Sequence, residues 1–267
     1  MTGEAFADFA EEYAAQRASE GRGHAGEDLL SLPYLRSGPL ARQWAVRARS
    51  FEAFRRHVIG PHATRLGRPL SVLDLGAGNG WLSHRLAREG HQAVALDIRA
   101  DAVDGLGAAE TLEARSDGRM TRLLAAFDDV PLDPSVMDVA VFNASLHYAL
   151  DLERALGEAA RLVRPGGVLA ILDSPFYARE AQGAAMVAEK KAQAVERFGD
   201  RAGVLLAPPF IEFLTRERLA KASAGRGLVW RRRRVRYPAW YEMRPVVAML
   251  RGHRTPSRFD LWTCVRP

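Results

Sequence analysis

The sequence predicts an α/β protein built on a doubly wound, mostly parallel sheet. Three observations carry this. Between residues 69 and 173, short apolar runs alternate with helix-patterned segments, the order expected when a crossover helix follows each strand. The first five strand candidates are near-continuous apolar runs, as strands covered on both faces must be. A glycine-rich turn, "SVLDLGAGNGWL" over 71–82, follows the first of them. There a strand hands over to a helix, and free backbone N–H groups can meet a ligand.

The elements are justified in chain order. Phe6, Phe9, Ala10, Tyr13 and Ala14 recur at helical spacing, so 4–18 reads as an amphipathic helix. "SEGRGHAGED" (19–28) reads as a flexible glycine-rich link. Leu40, Trp44, Phe51, Phe54 and Val58 mark a second helix, which Gly60 and Pro61 are expected to end. "PLSVLDL" (69–75) is the first strand, and its helix runs to about Arg88, with Gly90 as stop. "QAVALDI" (92–98) is the second strand, followed by a helix from about Ala100. "TRLLAA" (121–126) and "MDVAVFN" (137–143) are the next two strands. A helix over 152–163 ends at Pro165, Gly166 and Gly167, and "GVLAILD" (167–173) is the fifth strand. A long helix over 177–198 and a short one over 215–224 follow. "LVWRRRRVRY" (228–237) and "RFDLWTCV" (258–265) read as two closing strands, with helix between them.

The 267 residues suffice for one large domain with a small extension. No run approaches the roughly 18–20 apolar residues of a membrane span. The first residues, "MTGEAFADFAEEY", are acidic where a leader needs basic ones, so a cytoplasmic location is expected. The single cysteine, Cys264, lies in an apolar pattern and reads as a small buried strand residue. The net charge of +6 comes with Arg as the dominant base. It reads as dispersed surface charge, with Arg231–Arg234 and Arg236 the one local cluster that an anionic partner would use. No His, Asp and Glu cluster has metal-ligand spacing, so no metal is expected.

The glycine turn has to be assigned to a ligand. A dinucleotide turn of the G-x-G-x-x-G kind needs a glycine at 81, where Trp81 stands. A phosphate loop needs a lysine after its last glycine, and none follows. What remains is an acidic residue, Asp74, followed by G-x-G-x-G at Gly76, Gly78 and Gly80.

"VLDLGAGNGWLSHRLA" resembles motif I of the class I S-adenosylmethionine-dependent methyltransferases. "VALDI" resembles their second motif, with Asp97 19 residues beyond Gly78. "FDDVPLDPSVMDVAVFNASLHY" and "EAARLVRPGGVLAILD" resemble the regions of strands four and five in the quinone-biosynthesis type, methyltransferase type 11. The resemblance covers about 70–175. It implies a Rossmann-like, seven-stranded, mostly parallel sheet with an N-terminal helical lid, the lid at 1–60 and the methyltransferase domain at 61–267.

It also implies the cofactor, S-adenosyl-L-methionine, and a set of residues that bind it: Asp74, Gly76, Ala77, Gly78, Asp97, Ile98, Phe127, Asp128 and Asn143. Asp74 is expected to face the methionine ammonium, or to stabilise the turn. Asp97 is expected to accept the ribose hydroxyls, or to cap the next segment. The family often has an aspartate after strand three for adenine. Here the aligned residue is Ala126, so the adenine contact falls to Phe127 and Asp128, with a core-packed loop Phe and a solvated Asp as the alternative. Asn143 is placed against the methionine part. His147 is the candidate catalytic base, with a purely structural role as its alternative. Tyr13, Tyr34, Trp44 and Arg47 are the candidate lid residues over the cofactor, with simple helix packing as the alternative and the more common role of such a stripe.

The expected activity is methyl transfer to a small-molecule acceptor. RNA or protein methylation is the alternative, as is a non-catalytic S-adenosylmethionine-binding module. "NASLHY" lacks the prolines of the nucleic-acid amino-methyltransferases, so nucleic acid is the less favoured partner. The acceptor and the oligomeric state are not encoded in these motifs.

Overall fold

A computed structural model describes residues 3–267; the side chains of residues 3–8, Phe6 of the expected stripe among them, and of residue 200 lie outside the described set. Five strands come first along the chain: β1 (Ser71–Leu75), β2 (Gln92–Asp97), β3 (Met120–Leu124), β4 (Met137–Asn143) and β5 (Val163–Leu172). With β6 (Arg231–Arg233) and β7 (Leu261–Val265) they form one sheet in the order β3-β2-β1-β4-β5-β7-β6. The first five are parallel. Leu73 of β1 stands opposite Val94 of β2 and Ala140 of β4. β7 enters antiparallel between β5 and β6.

The helices before the sheet are α1 (Gly3–Ser19), α2 (Gly26–Ser31), α3 (Ala41–Phe54) and α4 (Gly60–Leu66). Within the sheet come α5 (Trp81–Arg88), α6 (Glu110–Ala114) and α7 (Leu152–Leu162). After β5 come α8 (Glu180–Phe198), α9 (Ala202–Leu206), α10 (Arg216–Ser223), α11 (Ala239–Glu242) and α12 (Arg244–Leu250).

Two cores follow from the period-two alternation of the strands. Val72, Val139 and Val141 point to one face, where Phe51, Phe54 and Leu82 cover them. Leu73, Ala140 and Phe142 point to the other, under Leu156 and Leu219. Phe51 and Phe54 are fully buried, worth about 1.5–3 kcal/mol each. Every residue of β4 is buried, Asp138 and Asn143 included. α7 presents Ala155, Leu156, Ala159 and Leu162 inward, and Asp151 caps it by accepting from the Arg154 N–H at 3.0 Å. Strand order reverses between β1 and β4, which opens a crevice at their carboxyl ends.

Four local expectations change. Gly60 and Pro61 do not end the second helix, which runs on as α4 through a π-turn at Arg55–Ile59. The wider turn accommodates Pro61, which has no N–H to give to the preceding turn. The stretch after β2 is not helical until Glu110. Asp101 accepts from the N–H groups of Val103 and Asp104 instead, closing a side-chain turn. The strand expected at 228–237 shrinks to Arg231–Arg233, because the Val235 N–H goes to the Asp260 carboxylate rather than to a ladder. The link at 19–28 already becomes helix at Gly26.

Within 1–60, α3 is built into the sheet's core through Phe51 and Phe54, whereas α1 lies against α9 and over the crevice. Among the described residues no helix is long and apolar enough to cross a membrane. Cys264 is buried in β7.

Candidate active site

The turn after β1 is held by its own backbone. The N–H groups of Gly76 and Ala77 both donate to the Leu96 carbonyl at 2.8 Å, tying β1 to the end of β2. Gly76 has φ +78°, and a Cβ there would overlap Cβ of Ser145. Gly80 has φ +73°, and its Cβ would meet the Met120 methyl at 2.6 Å. Both glycines are therefore required by backbone hand and close packing before any ligand arrives. Around Gly78 (φ +56°) there is more room, the nearest atom to a Cβ being the Asp104 carbonyl at 3.1 Å.

Asp97 ends β2 and is buried. Its Oδ2 accepts the Gly78 N–H at 2.7 Å and its Oδ1 the Arg99 N–H at 2.9 Å. Burial pushes its pKa up, against the pull of Arg99 and these two N–H groups. Each oxygen retains a further lone pair, so Asp97 caps the turn and can still accept two hydroxyls. Asp74 lies beneath the turn. Its Oδ2 accepts from Ser83 at 3.1 Å, and its Oδ1 is buried without a partner. Burial raises its pKa to about 7, with Asp97 adding to the rise and Ser83 opposing it. A cation brought close would pull that proton off.

A cavity opens over the carboxyl ends of β1, β2 and β4. Gly76, Ala77, Gly78, Asp97, Ile98, Phe127, Asp128 and Asn143 all stand on its wall. Asp74 and His147 do not. Ile98 is 45% exposed although apolar, and Phe127 packs edge-on against Phe142 at 5.6 Å. Together they offer a flat apolar slot. Asn143 is buried, with its Oδ1 unpartnered.

β4 ends in Asn143, after which Ala144 takes a left-handed turn (φ +57°) into a single 3-10 turn at Leu146–Tyr148. That turn decides which side chain reaches the cavity, and it is Tyr148 rather than the expected His147. The His147 ring lies tilted against Tyr148 at 4.3 Å, and its Nδ1 has no partner. Burial, then the charges of Lys190, Arg47 and Arg17, push its pKa down to about 3, so the imidazole is neutral near pH 7.

The other side of the cavity comes from outside the motifs. Phe9 and Tyr13 of α1, Trp44 and Arg47 of α3, and Phe210 from the loop after α9 close it. The Tyr13 hydroxyl donates to that of Tyr148 at 2.9 Å. Tyr34 is not part of this wall; it is 40% exposed and donates to Glu52. Ser145, Asp104, Tyr148 and Phe210 are wall residues that sequence reading missed. Ser145 donates to the Leu75 carbonyl and thereby joins β4 to the glycine turn. Its place directly after Asn143-Ala144 was the one available signal. Phe210 lies far from every motif and gave none. Among the described residues no group of three or more His, Cys, Asp or Glu side chains is placed to hold a metal ion.

The sequence model of the methyltransferase domain family matches residues 73–171, the span from β1 to the end of β5. Residues 73–171 therefore form a methyltransferase domain. An uncharacterized methyltransferase of Mycobacterium tuberculosis is 37% identical over 101 residues, 38% of each chain. The malonyl-[acyl-carrier protein] O-methyltransferase of Pectobacterium atrosepticum is 34% identical over 102 residues, 38% of this chain and 37% of that one. The tRNA 5-carboxymethoxyuridine methyltransferase of Escherichia coli is 32% identical over 108 residues, 40% of each. These alignments span about two fifths of the curated relatives' length.

The methyltransferase fold extends further than the sequence match. The geranyl diphosphate C-methyltransferase of Streptomyces coelicolor superposes with a TM-score of 0.60 at 16% identity, covering 89% of this chain and 88% of that one. The 1,6-didemethyltoxoflavin-N1-methyltransferase of Burkholderia thailandensis gives 0.54 at 18%, covering 97% and 89%. At such identities the likeness is one of fold.

Proposed function

We propose that this methyltransferase transfers the methyl group of S-adenosyl-L-methionine to a small-molecule acceptor. The observation that carries the small-molecule reading is the closure of the cavity by Phe9, Tyr13, Trp44 and Phe210, which leaves a walled site rather than an open track for a polymer. The residues present fit the cofactor. The orphaned Asp74 Oδ1 and Asn143 Oδ1 are buried acceptors awaiting donors, and the glycine turn leaves backbone on the cavity wall. The named acceptors of similar proteins, malonyl-[acyl-carrier protein] and geranyl diphosphate, are consistent with this reading.

When bound, S-adenosyl-L-methionine supplies an electrophilic methyl group on a sulfonium. The chain does the rest by positioning and water exclusion. Asp97 accepts the ribose hydroxyls, and Ile98, Phe127 and Asp128 receive the adenine. Asp74 faces the ammonium from below the turn. Gly76, Ala77 and Gly78 pass along the ligand, with Asn143 at the methionine end. His147 is held neutral behind the cavity wall, which leaves Tyr148 as the side chain that reaches the cavity there.

Calorimetric titration with S-adenosyl-L-methionine and S-adenosyl-L-homocysteine tests the cofactor. Methyl-labelled cofactor with a metabolite extract and, separately, with total tRNA tests the acceptor. Label in small organic products is expected. Label only in tRNA would support the RNA reading, which the tRNA-directed relative and the exposed Arg231 and Arg233 favour. Binding without any transfer would leave a regulatory module.

A further inference from the structure

We propose that Arg47 is the anion-binding residue of the acceptor site, and that the acceptor carries an oxyanion, carboxylate or phosphate, on a ring-sized apolar body. This rests on the methyltransferase reading above. Four guanidinium groups stand on the cavity wall: Arg17, Arg22, Arg47 and Arg99. Three have a carboxylate within ion-pair distance, although Arg99 Nη1 makes no hydrogen bond. Arg17 pairs with Asp104 at 2.5 Å, and Arg22 with Glu20 at 2.9 Å. Arg99 donates to the Asp104 carbonyl at 2.7 Å and has Asp101 at 3.6 Å.

Arg47 differs. Among the described residues it makes no hydrogen bond and no ion pair, and it lies only over the Trp44 ring at 5.2 Å. It is partly buried. Burial pushes its pKa down, and Asp173 opposes this from a distance. Asp173 accepts from the Ser50 hydroxyl through Oδ1, its Oδ2 is buried without a hydrogen bond, and no ion pair joins it to Arg47 among the described residues. A partly buried guanidinium with no ion pair on a cavity wall is free to take a ligand anion. A guanidinium matches carboxylate and phosphate through two parallel N–H donors.

Position separates this anion from the cofactor's nucleoside. The residues assigned to the nucleoside follow β1, β2 and β3. The carboxylate that most affects Arg47 is Asp173, directly after β5, which lies beyond β4 from β1. The body of the acceptor is described by four rings on the wall of the same cavity. Phe9 stacks on Tyr13 at 5.4 Å and meets Phe210 edge-on at 5.3 Å. Tyr148 meets Phe210 at 5.5 Å and Tyr13 at 5.9 Å. Aromatic walls of this kind receive flat apolar groups.

The competing partner for Arg47 is the carboxylate of the cofactor, so the experiment begins there. Wild type, Arg47→Met and Arg47→Lys are titrated with S-adenosyl-L-homocysteine and with 5′-methylthioadenosine, which lacks the amino-acid part. The proposal expects both affinities to stay within about twofold of wild type in both variants. A selective loss for S-adenosyl-L-homocysteine assigns Arg47 to the cofactor and overturns it. With S-adenosyl-L-homocysteine saturating, benzoate, phenyl phosphate and benzamide are then titrated. At least one anion should bind wild type better than benzamide and lose about tenfold or more in Arg47→Met, the size of a charged hydrogen-bond loss. Arg47→Lys should fall between, because it keeps the charge and loses the fork. Which anion binds distinguishes carboxylate from phosphate. Equal binding of the anions and benzamide, or of anions to wild type and variants, overturns the proposal. Failure of wild type to bind S-adenosyl-L-homocysteine at all would instead sink the cofactor reading, and the proposal with it. Should Arg47→Met not fold, as read by circular dichroism, Arg47→Lys alone decides by the same comparison.

Discussion

Asp97 shows how one side chain can serve fold and ligand together. Its two oxygens already hold the N–H groups of Gly78 and Arg99, so it shapes the turn it is expected to read. Asp97→Ala should weaken S-adenosyl-L-homocysteine binding by about 1.5–3 kcal/mol, the range for removal of a charged acceptor. Calorimetry on a variant shown to be folded checks this, and a dissociation constant within twofold of wild type removes the assignment. Asp138, near the amino end of β4, is the opposite case, a buried carboxylate with no part in the site. It accepts from Arg68 and Arg164 and from the Ser71 N–H. Burial alone would raise its pKa, but these donors outweigh that and hold it at about 2. A carboxylate whose folded pKa is depressed stabilises above its unfolded value, and that contribution is lost as pH falls through the folded one. Wild type should therefore lose thermal stability between about pH 4 and pH 2 more steeply than Asp138→Asn. Parallel acid limbs in the two melting profiles would contradict the pairing.

At the scale of elements, the segment before β1 divides by function. α3 is anchored in the core through Phe51 and Phe54, whereas α1 reaches the cavity through Phe9 and Tyr13 and is tied down by Tyr148 and by Arg17 to Asp104. The only chain between α1 and α2 is the turn and coil at 20–25, with Gly21 at φ +73° and open space around it. We propose that α1, rather than all of 1–60, is the moving lid. Limited proteolysis should cut near Arg22 in the free protein and more slowly with S-adenosyl-L-homocysteine bound, since ligand binding raises the free energy of local opening. Equal rates in both states would argue against closure.

For the molecule as a whole, the question is whether its +6 charge is a recognition surface. Much of the local Arg cluster is neutralised. Arg232 pairs with Asp260 at 2.6 Å and Arg234 with Glu242 at 3.1 Å. Arg231 and Arg233 are exposed on β6 with no ion pair among the described residues. Arg231→Gln with Arg233→Gln should leave S-adenosyl-L-homocysteine affinity and turnover on a small acceptor unchanged. If RNA is the acceptor, the same pair should weaken tRNA binding and reduce the log–log salt slope by roughly 0.7–0.9 for each phosphate that is no longer neutralised. Filter binding across a salt series reads this.

Sequence alone was enough for the α/β class, the five parallel strands and the glycine turn, because each depends on neighbours within a few residues. Apolar runs must be buried, and Gly76 and Gly80 must be glycine where φ is positive. The same locality placed Asp97 at the end of β2 and Asn143 at the end of β4. It failed where the outcome was set by distant partners. Pro61 continues a helix because a π-turn and the core behind it hold the chain. β6 is short because Asp260, 25 residues further on, takes the Val235 N–H. Tyr148 and not His147 reaches the cavity because a 3-10 turn and the hydroxyl of Tyr13, 135 residues away, orient it. Arg47 is legible as a cation in any sequence; that it alone lacks a counter-charge on the cavity wall is a property of the packed structure, since pairing is decided by which elements the fold brings side by side.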